Sequence, residues 1–223
     1  MSSKSLNSPL LELKELCKSF GKVDVLKDVT LNLESSSIHA LLGENGAGKT
    51  SFLRACAGLI SVSSGDAHVL GFDMRVDRRA PRRYIGLLGH ENNLYRDLWV
   101  REHVEFRAAA AGAGESDTDA ALIRVGVSKK LWTVPIGSLS AGQRRKVAIA
   151  SLVVGRPRLW LLDEPHASLD TESRENLDLI LVEASQLGAT IIFASHESPS
   201  TNGIASRVIT MGGGRVLEDS GAS

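Results

Sequence analysis

The sequence has little of what marks a disulfide-stabilised or nucleic-acid-binding protein. It contains two cysteines, Cys17 and Cys56, and neither belongs to a CxxC pair, which argues against a disulfide framework and against a zinc site. We therefore expect both to be small buried residues in a reducing compartment. Lysine plus arginine number 26, as do aspartate plus glutamate. This zero net charge leaves no overall basic excess, and no nucleic-acid partner is expected.

Long hydrophobic runs are also missing. No stretch of about 18 apolar residues occurs, which is roughly what a helix needs to cross a bilayer. The Ser-rich residues 1–9 lack the apolar centre of a secretory signal. The 223 residues are enough for one large domain with a sizeable core, and we expect that organisation. If it acts at a membrane, a partner must supply the membrane spans.

The order of hydrophobic periodicities predicts an α/β fold. Alternation over Leu11–Cys17 and Val25–Glu34 predicts half-buried antiparallel strands, and the apolar run Ile38–Leu42 predicts a buried strand. Further strands are predicted at Ala67–Leu70, Tyr84–Leu88, Arg158–Leu162, Thr190–Ala194, Arg207–Met211 and Arg215–Glu218. Helices are predicted at Lys49–Leu59, Val100–Ala111, Asp117–Val125, Ala141–Val154 and Thr171–Leu187.

A Gly-rich stretch after Ile38–Leu42 matches the phosphate-loop pattern GxxxxGK[ST]. Glycine lets the backbone turn sharply and direct N–H groups towards phosphate oxygens, and the following helix adds its positive N-terminal end. Lys49 would contact the β- and γ-phosphates of a nucleotide, and the Thr50 hydroxyl would bind Mg²⁺. The alternative is a turn that binds nothing. The candidate nucleotide-binding residues here are Gly43, Glu44, Asn45, Gly46, Ala47, Gly48, Lys49, Thr50 and Ser51.

A second motif follows the predicted strand at residues 158–162. Asp163 ends the apolar run, where it can hold Mg²⁺ through water. Glu164 comes next and can accept a proton from an attacking water molecule. An isolated Asp-Glu pair would be an ordinary turn at the end of a strand. Its position downstream of a phosphate loop favours the catalytic interpretation.

Between these motifs lies Leu139-Ser140-Ala141-Gly142-Gln143, which opens a predicted helix. Free N–H groups at a helix N-terminus attract anions. One chain already has a phosphate loop, so a second phosphate-binding helix end makes sense if it reaches a nucleotide held by another copy. The alternative is a serine N-cap without a ligand.

The ordered set of three motifs, within about Leu11 to Glu218, resembles the ATP-binding subunit of ABC (ATP-binding cassette) transporters. The resemblance implies a P-loop NTPase (RecA-like) core with an N-terminal antiparallel β subdomain and an inserted helical subdomain. It implies one domain over residues 1–223, with the core at about 10–90 and 155–220 and the helical lobe at about 91–154. It also implies an ATP-dependent homodimer, in which Ser140, Gly142 and Gln143 close over ATP bound by the other subunit.

The same resemblance implies roles for further residues. Phe20 matches the aromatic residue that stacks on adenine, where tyrosine is more usual. Asp170 matches the loop that communicates across the dimer, and His196 matches the histidine that contacts the γ-phosphate. A lone histidine after a strand would otherwise be structural or solvent-facing. Glu164, His196 and Lys49 are the expected catalytic residues, with ATP and Mg²⁺ as the expected nucleotide and cofactor.

One position departs from the family pattern. His90 occupies the slot where the family has a glutamine that binds Mg²⁺ and faces the membrane subunits. Neutral imidazole binds a cation, but its protonated form does not. The hypothesis is that His90 makes coupling or Mg²⁺ binding more acid-sensitive. Superimposable ATPase pH profiles of the parent and His90→Gln down to about pH 6 would contradict it.

Local runs resemble one branch of the family, the ATP-binding subunit of the haem exporter of cytochrome c maturation. This branch implies integral membrane permease partners and a location on the cytoplasmic face of the inner or plasma membrane. The alternatives are an ATPase of a drug, lipid or polysaccharide exporter and a soluble ABC ATPase of the Fe–S assembly type. The identity of the membrane partner separates the two exporter interpretations, and co-purification with membrane proteins separates both from the soluble one. The runs are Leu88–His90, Leu139–Val147 and Leu159–Ala167.

Overall fold

Two β-sheets carry the fold of this protein, whose computed structural model describes residues 9–196 and 203–221. Five helices in this part of the chain are α1 (Lys49–Cys56), α2 (Val100–Ala110), α3 (Glu115–Arg124), α4 (Ala141–Gly155) and α5 (Thr171–Gln186). The strands are β1 (Leu11–Phe20), β2 (Val23–Leu33), β3 (Ile38–Leu42), β4 (Ser64–Val69), β5 (Phe72–Asp73), β6 (Ile85–Leu88), β7 (Leu159–Asp163), β8 (Thr190–Ser195), β9 (Arg207–Gly212) and β10 (Arg215–Asp219).

The larger sheet has six strands in the order β10-β9-β3-β8-β7-β6. Neighbours from β9 to β6 run parallel, and β10 pairs antiparallel at the edge. Asp163 on β7 pairs with Ala194 on β8, and Leu42 on β3 pairs with Ser195 on β8. Because parallel strands end at the same edge, this register brings the segments that follow β3, β7 and β8 together.

Each face of this sheet is covered by a different layer, as the side-chain alternation along β7 shows. Trp160 and Leu162 join a core formed with α2 to α5. Leu159 and Leu161 join a second core with α1 and the smaller sheet. That smaller sheet is antiparallel, in the order β2-β1-β4-β5. Strands buried on both faces read as continuous apolar runs, which explains the pattern of β3, β7 and β8.

The predicted α/β fold with an antiparallel subdomain is confirmed. The predicted strands and helices appear with end shifts of a few residues. The two-residue strand β5 was not predicted, because two residues carry no detectable periodicity. The helices α2, α3 and α4 pack on one another, in the stretch predicted to be an inserted lobe.

The prediction of two buried cysteines is half wrong. Cys56 is 2% exposed, and burial raises the pKa of its thiol to about 12. Cys17 is only partly buried, and its thiol lies 3.4 Å from Oδ1 of Asp28. Strand β1 alternates faces, and Cys17 falls on the less buried one. Within residues 9–196 and 203–221, no helix is long and apolar enough to cross a bilayer.

Candidate functional site

The predicted phosphate loop connects β3 to α1. Two of its glycines sit where a side chain cannot fit. Gly43 has φ +147°, and a Cβ atom there would lie 2.2 Å from the Met211 carbonyl oxygen. Gly48 has φ +104°, and a Cβ atom would lie 2.8 Å from the Val25 carbonyl oxygen. The loop therefore requires glycine for both conformation and close packing.

The loop encloses the ammonium group of Lys49, whose side chain begins in the first turn of α1. Lys49 is 7% exposed. Its Nζ atom donates to the carbonyl oxygens of Gly43 and Glu44, the latter at 3.1 Å. These bonds hold a positive charge inside the loop and next to the N-terminus of α1, which is an arrangement suited to phosphate.

A cavity of about 660 Å³ opens over the loop. This volume falls within the range of small-molecule sites. The sequence-predicted residues that line it are Glu44, Asn45, Gly46, Ala47, Gly48, Lys49, Thr50, Ser51, His90, Asp163, Glu164 and His196. The structure thus brings together residues that are up to about 150 positions apart in the chain.

Oxygen ligands lie at one side of this cavity. The Thr50 hydroxyl donates to Oδ2 of Asp163 at 2.7 Å, and Asp163 is 5% exposed. A hydroxyl and a carboxylate are ligands that Mg²⁺ accepts. His90 lines the same cavity. The chemistry of the Thr50 and Asp163 oxygens therefore suits Mg²⁺.

Glu164 and His196 form a second pair at the cavity. Oε1 of Glu164 lies 2.9 Å from Nδ1 of His196. Glu164 has φ +48°, a left-handed conformation that non-glycine residues adopt at a cost of about 1–2 kcal/mol. Its backbone N–H donates to the Ala194 carbonyl at 3.0 Å. The turn therefore directs a carboxylate into the site at the expense of backbone strain.

Phe20 lies at the end of β1, outside the set of residues that line the cavity. Its side chain is 51% exposed, and the Lys18 Nζ atom lies 4.7 Å from its ring centroid. The adenine-stacking role of Phe20 stays a prediction. Two segments that the sequence analysis missed do line the cavity: Val23, Asp24, Val25 and Lys27 on β2, and Gly213 and Gly214 in the β9–β10 turn.

These missed residues reach the site because the β9–β10 turn packs on the loop. The Gly214 N–H donates to the Ala47 carbonyl at 3.0 Å, and the Gly214 carbonyl accepts from the Lys27 N–H at 2.8 Å. The sequence pattern indicated a hairpin. Nothing in it indicated that the hairpin contacts a loop about 165 residues earlier.

The signature segment begins α4, as predicted. The Gln143 N–H donates to Oγ of Ser140 at 3.2 Å, and the Ser140 N–H donates to Oε1 of Gln143 at 2.9 Å. This is a capping box. Within the described ranges, the cavity lining includes none of Ser140, Gly142 and Gln143. The segment therefore lies outside its own chain's phosphate-loop cavity.

The loop after Glu164 contacts this helix start. A Cβ atom on Gly142 would lie 2.6 Å from the Ser168 carbonyl oxygen. Asp170 follows, and its Oδ1 atom accepts from the Ser173 N–H at 2.9 Å as the N-cap of α5. Hydrogen bonds from the side chain and the backbone of Ser173 hold the pKa of Asp170 below its usual value. Its expected role across a dimer stays a prediction.

Known proteins with similar sequences are ATP-binding proteins of transporters, which agrees with a nucleotide site over the phosphate loop. A protein-family profile described as ABC transporter matches residues 26–167. The glutamine transport ATP-binding protein GlnQ of Escherichia coli (strain K12) is 32% identical over 218 residues, covering 94% of this chain and 90% of the relative. The cytochrome c biogenesis ATP-binding export protein CcmA of Cupriavidus pinatubonensis is 34% identical over 216 residues, covering 96% of this chain and 90% of the relative.

Solved structures support the same assignment. An ATP-binding subunit of an ABC transporter superposes with a TM-score of 0.86 at 26% identity, covering 94% of this chain and 89% of that one. A dimeric ATP-binding cassette in a post-hydrolysis state, bound to ADP and Pi, has the same fold, with a TM-score of 0.86 at 22% identity and coverage of 94% and 97%. The chain therefore belongs to the ATP-binding subunits of ABC transporters, a family whose ATPase domain implies binding and hydrolysis of ATP.

Proposed function

We propose that this chain hydrolyses ATP at the cavity over the phosphate loop, with Glu164 as the general base. The observation that carries the proposal is the 2.9 Å contact between Oε1 of Glu164 and Nδ1 of His196, beside the buried Thr50–Asp163 pair. A carboxylate held by an imidazole at the edge of a phosphate site is suited to orienting and deprotonating water.

The loop supplies the binding part of the site. Backbone N–H groups of residues 44–51 and the Lys49 ammonium hold the triphosphate, and Phe20 stacks on adenine. Thr50, Asp163 and His90 would hold Mg²⁺, which supplies neutralisation of phosphate charge when bound. His196 orients Glu164 through Nδ1 and contacts the γ-phosphate end of the nucleotide.

The second half of each site comes from another copy of the chain. Ser140, Gly142 and Gln143 present a capped helix end away from their own cavity, and a helix N-terminus favours a negatively charged ligand. In this proposal the core of residues 10–90 and 155–220 binds ATP. The lobe of residues 91–154 brings the signature to the partner's nucleotide, and Asp170 lies at the junction.

Substitution of the base tests the hydrolytic assignment. Glu164→Gln keeps the size and hydrogen-bonding capacity of the side chain but removes its basicity. We expect turnover to fall by about 100-fold or more, with ATP affinity retained, because general-base catalysis contributes about that much. ATPase assays and equilibrium nucleotide binding measure the two quantities. Turnover near that of the parent would show that Glu164 is not the base.

We further propose that the membrane partners of this chain are the permease subunits of a haem exporter for cytochrome c maturation. The runs Leu88–His90, Leu139–Val147 and Leu159–Ala167 support this, as does 34% identity to a protein named for cytochrome c biogenesis export. The chain would then work at the cytoplasmic face of the membrane through these partners.

The identity of the co-purifying membrane proteins tests this assignment. Tagged chain is extracted with mild detergent from its native host, and its partners are identified by mass spectrometry. Permease subunits that bind haem, or that make the ATPase activity of the complex respond to haem, support the proposal. Amino-acid importer subunits would favour the role named for the GlnQ relative, and a complex without membrane proteins would contradict a transport role.

A further inference from the structure

Arg145 lies two residues after the signature segment, on the second turn of α4. Its side chain is buried, with 3% exposure. Burial is the main influence on its ionisation and lowers the pKa of Arg145 to about 10, so the guanidinium remains charged at neutral pH. A buried charge is costly unless its donors are satisfied.

The guanidinium makes five hydrogen bonds, matching its five N–H groups. Nη2 donates to the backbone carbonyls of Asp163 at 2.8 Å and Glu164 at 2.6 Å, and Nε donates to the Pro165 carbonyl at 3.2 Å. Nη1 donates to the Gly89 carbonyl at 2.8 Å and to Oδ1 of Asn92 at 2.9 Å.

These partners belong to two separate loops of the nucleotide cavity. One is the end of β7 at Asp163 together with the turn that follows, which includes Glu164 at φ +48°. The other follows β6 and includes His90, which lines the cavity. Arg145 joins both loops to helix α4, which starts at Ala141. One side chain therefore connects the hydrolytic end of a site with the segment proposed to complete the neighbouring site.

We propose that Arg145 is a positioning residue for ATP hydrolysis. It fixes the backbone of Glu164 and the His90 loop against α4, so that the proposed base and the signature helix of one chain move together. The inference rests on the proposed role of Glu164. Arg145 does not contact the reacting atoms, and it acts through the carbonyls it binds. Displacement of a catalytic group by about 1 Å costs on the order of 100-fold in rate.

Arg145→Lys tests the proposal, because lysine keeps the charge but lacks the planar fork that reaches both loops. We expect kcat to fall by about 10- to 100-fold, with the KM and the dissociation constant for ATP within about 2-fold. This split arises because the phosphate loop and Lys49 receive no bond from Arg145. An unchanged kcat, or an equal loss of ATP binding, would overturn the proposal.

Arg124→Lys is the matched control. Arg124 also bridges two elements, α3 and α5, through Glu183 at 2.8 Å and Asn176 at 2.6 Å, but it touches neither cavity loop. Its replacement lowers thermal stability through a lost bridge while kcat stays near that of the parent. If Arg124→Lys lowers kcat as much as Arg145→Lys at equal loss of melting temperature, the effect of Arg145 is only structural and the proposal fails.

Asn92→Ala covers the outcome in which Arg145→Lys does not fold. It removes one acceptor at the His90 loop, which lowers kcat by several-fold at unchanged ATP affinity; parental kcat would overturn the proposal. The Glu164→Gln variant separates the two assignments. Turnover of Glu164→Gln near that of the parent contradicts the proposed function itself. If Glu164→Gln is inactive while Arg145→Lys and Asn92→Ala keep the parental kcat, only the proposed role of Arg145 is contradicted.

Discussion

His39 shows how burial of one residue links stability to pH. It lies on β3 between β8 and β9 and is 3% exposed. Its Nε2 atom lies 2.7 Å from the Ser37 hydroxyl, and its Nδ1 atom has no hydrogen-bond partner among the described residues. Burial, assisted by the nearby Arg207 charge, lowers the pKa of His39 to about 4.

This shift predicts a loss of stability in mild acid. Between about pH 6.5 and pH 4 the unfolded chain binds a proton at this histidine and the folded chain does not, so stability falls as pH falls. The contribution of His39 to the free energy of unfolding should decrease by about 2 kcal/mol from pH 7 to pH 5. Urea unfolding of the parent and His39→Gln at both pH values measures it, and the variant should show the smaller difference.

His103 provides an independent check on the same physics. It lies on α2 and is 2% exposed, and burial lowers its pKa to about 4. His103→Gln should also reduce the acid sensitivity of unfolding, and the double variant should reduce it further because the two sites lie on different elements. Equal pH dependence in the parent and both variants would show that neither histidine is buried in its neutral form.

Residues with local roles were predictable from the sequence, and residues with distant partners were not. Gly48, Lys49 and Thr50 form a contiguous pattern whose chemistry follows from spacing alone. The acceptors of Arg145 lie as many as 56 positions away, and only the packing of α4 against the sheet brings them together. The lining role of Gly214 escaped prediction for the same reason.

At the level of elements, the packing of helix α4 is tight at its first turn and open at its last residue. Gly142 faces the Ser168 carbonyl, which would lie 2.6 Å from an added Cβ atom. At the other end of the helix, a Cβ atom on Gly155 would have no neighbour within 4 Å. The same Gly→Ala change on one helix should therefore have opposite effects at its two ends.

We expect Gly142→Ala to lower the free energy of unfolding by about 1–2 kcal/mol, because the clash with backbone exceeds the gain in helix propensity. Gly155→Ala should raise it by about 0.5 kcal/mol, because alanine has less backbone entropy to lose. Denaturant unfolding at one pH compares them. Stabilisation by both substitutions would mean that α4 does not pack on the Ser168 carbonyl.

The start of α4 was predicted correctly because Ser140 is a good N-cap residue, and the structure adds a capping box with Gln143. The boundaries of α2 and α3 were predicted within two residues from periodicity. What periodicity does not give is how α2, α3 and α4 sit on the sheet, since this depends on contacts such as Arg124 with Glu183 that join different helices. The two-residue strand β5 is held by pairing with β4 rather than by its own pattern.

At the scale of the whole molecule, the separation of the signature from its own cavity predicts complementation between two inactive chains. Lys49→Ala removes the phosphate-loop charge but keeps the signature. Gly142→Asp disrupts the signature with a negative charge but keeps the loop. A mixed dimer then contains one intact site, formed by the loop of the second variant and the signature of the first.

Mixing the two inactive variants with ATP and Mg²⁺ should therefore restore turnover, to about a quarter of the parental rate if subunits pair at random and sites act independently. The matched control mixes Lys49→Ala with Glu164→Gln. Both of these lesions fall on the same half of a site, so no intact site forms and activity stays absent. Sites contained within single chains would give no recovery in either mixture. Recovery in both mixtures would mean that Lys49 and Glu164 act in different sites, so the contrast between the mixtures tests the composite site directly.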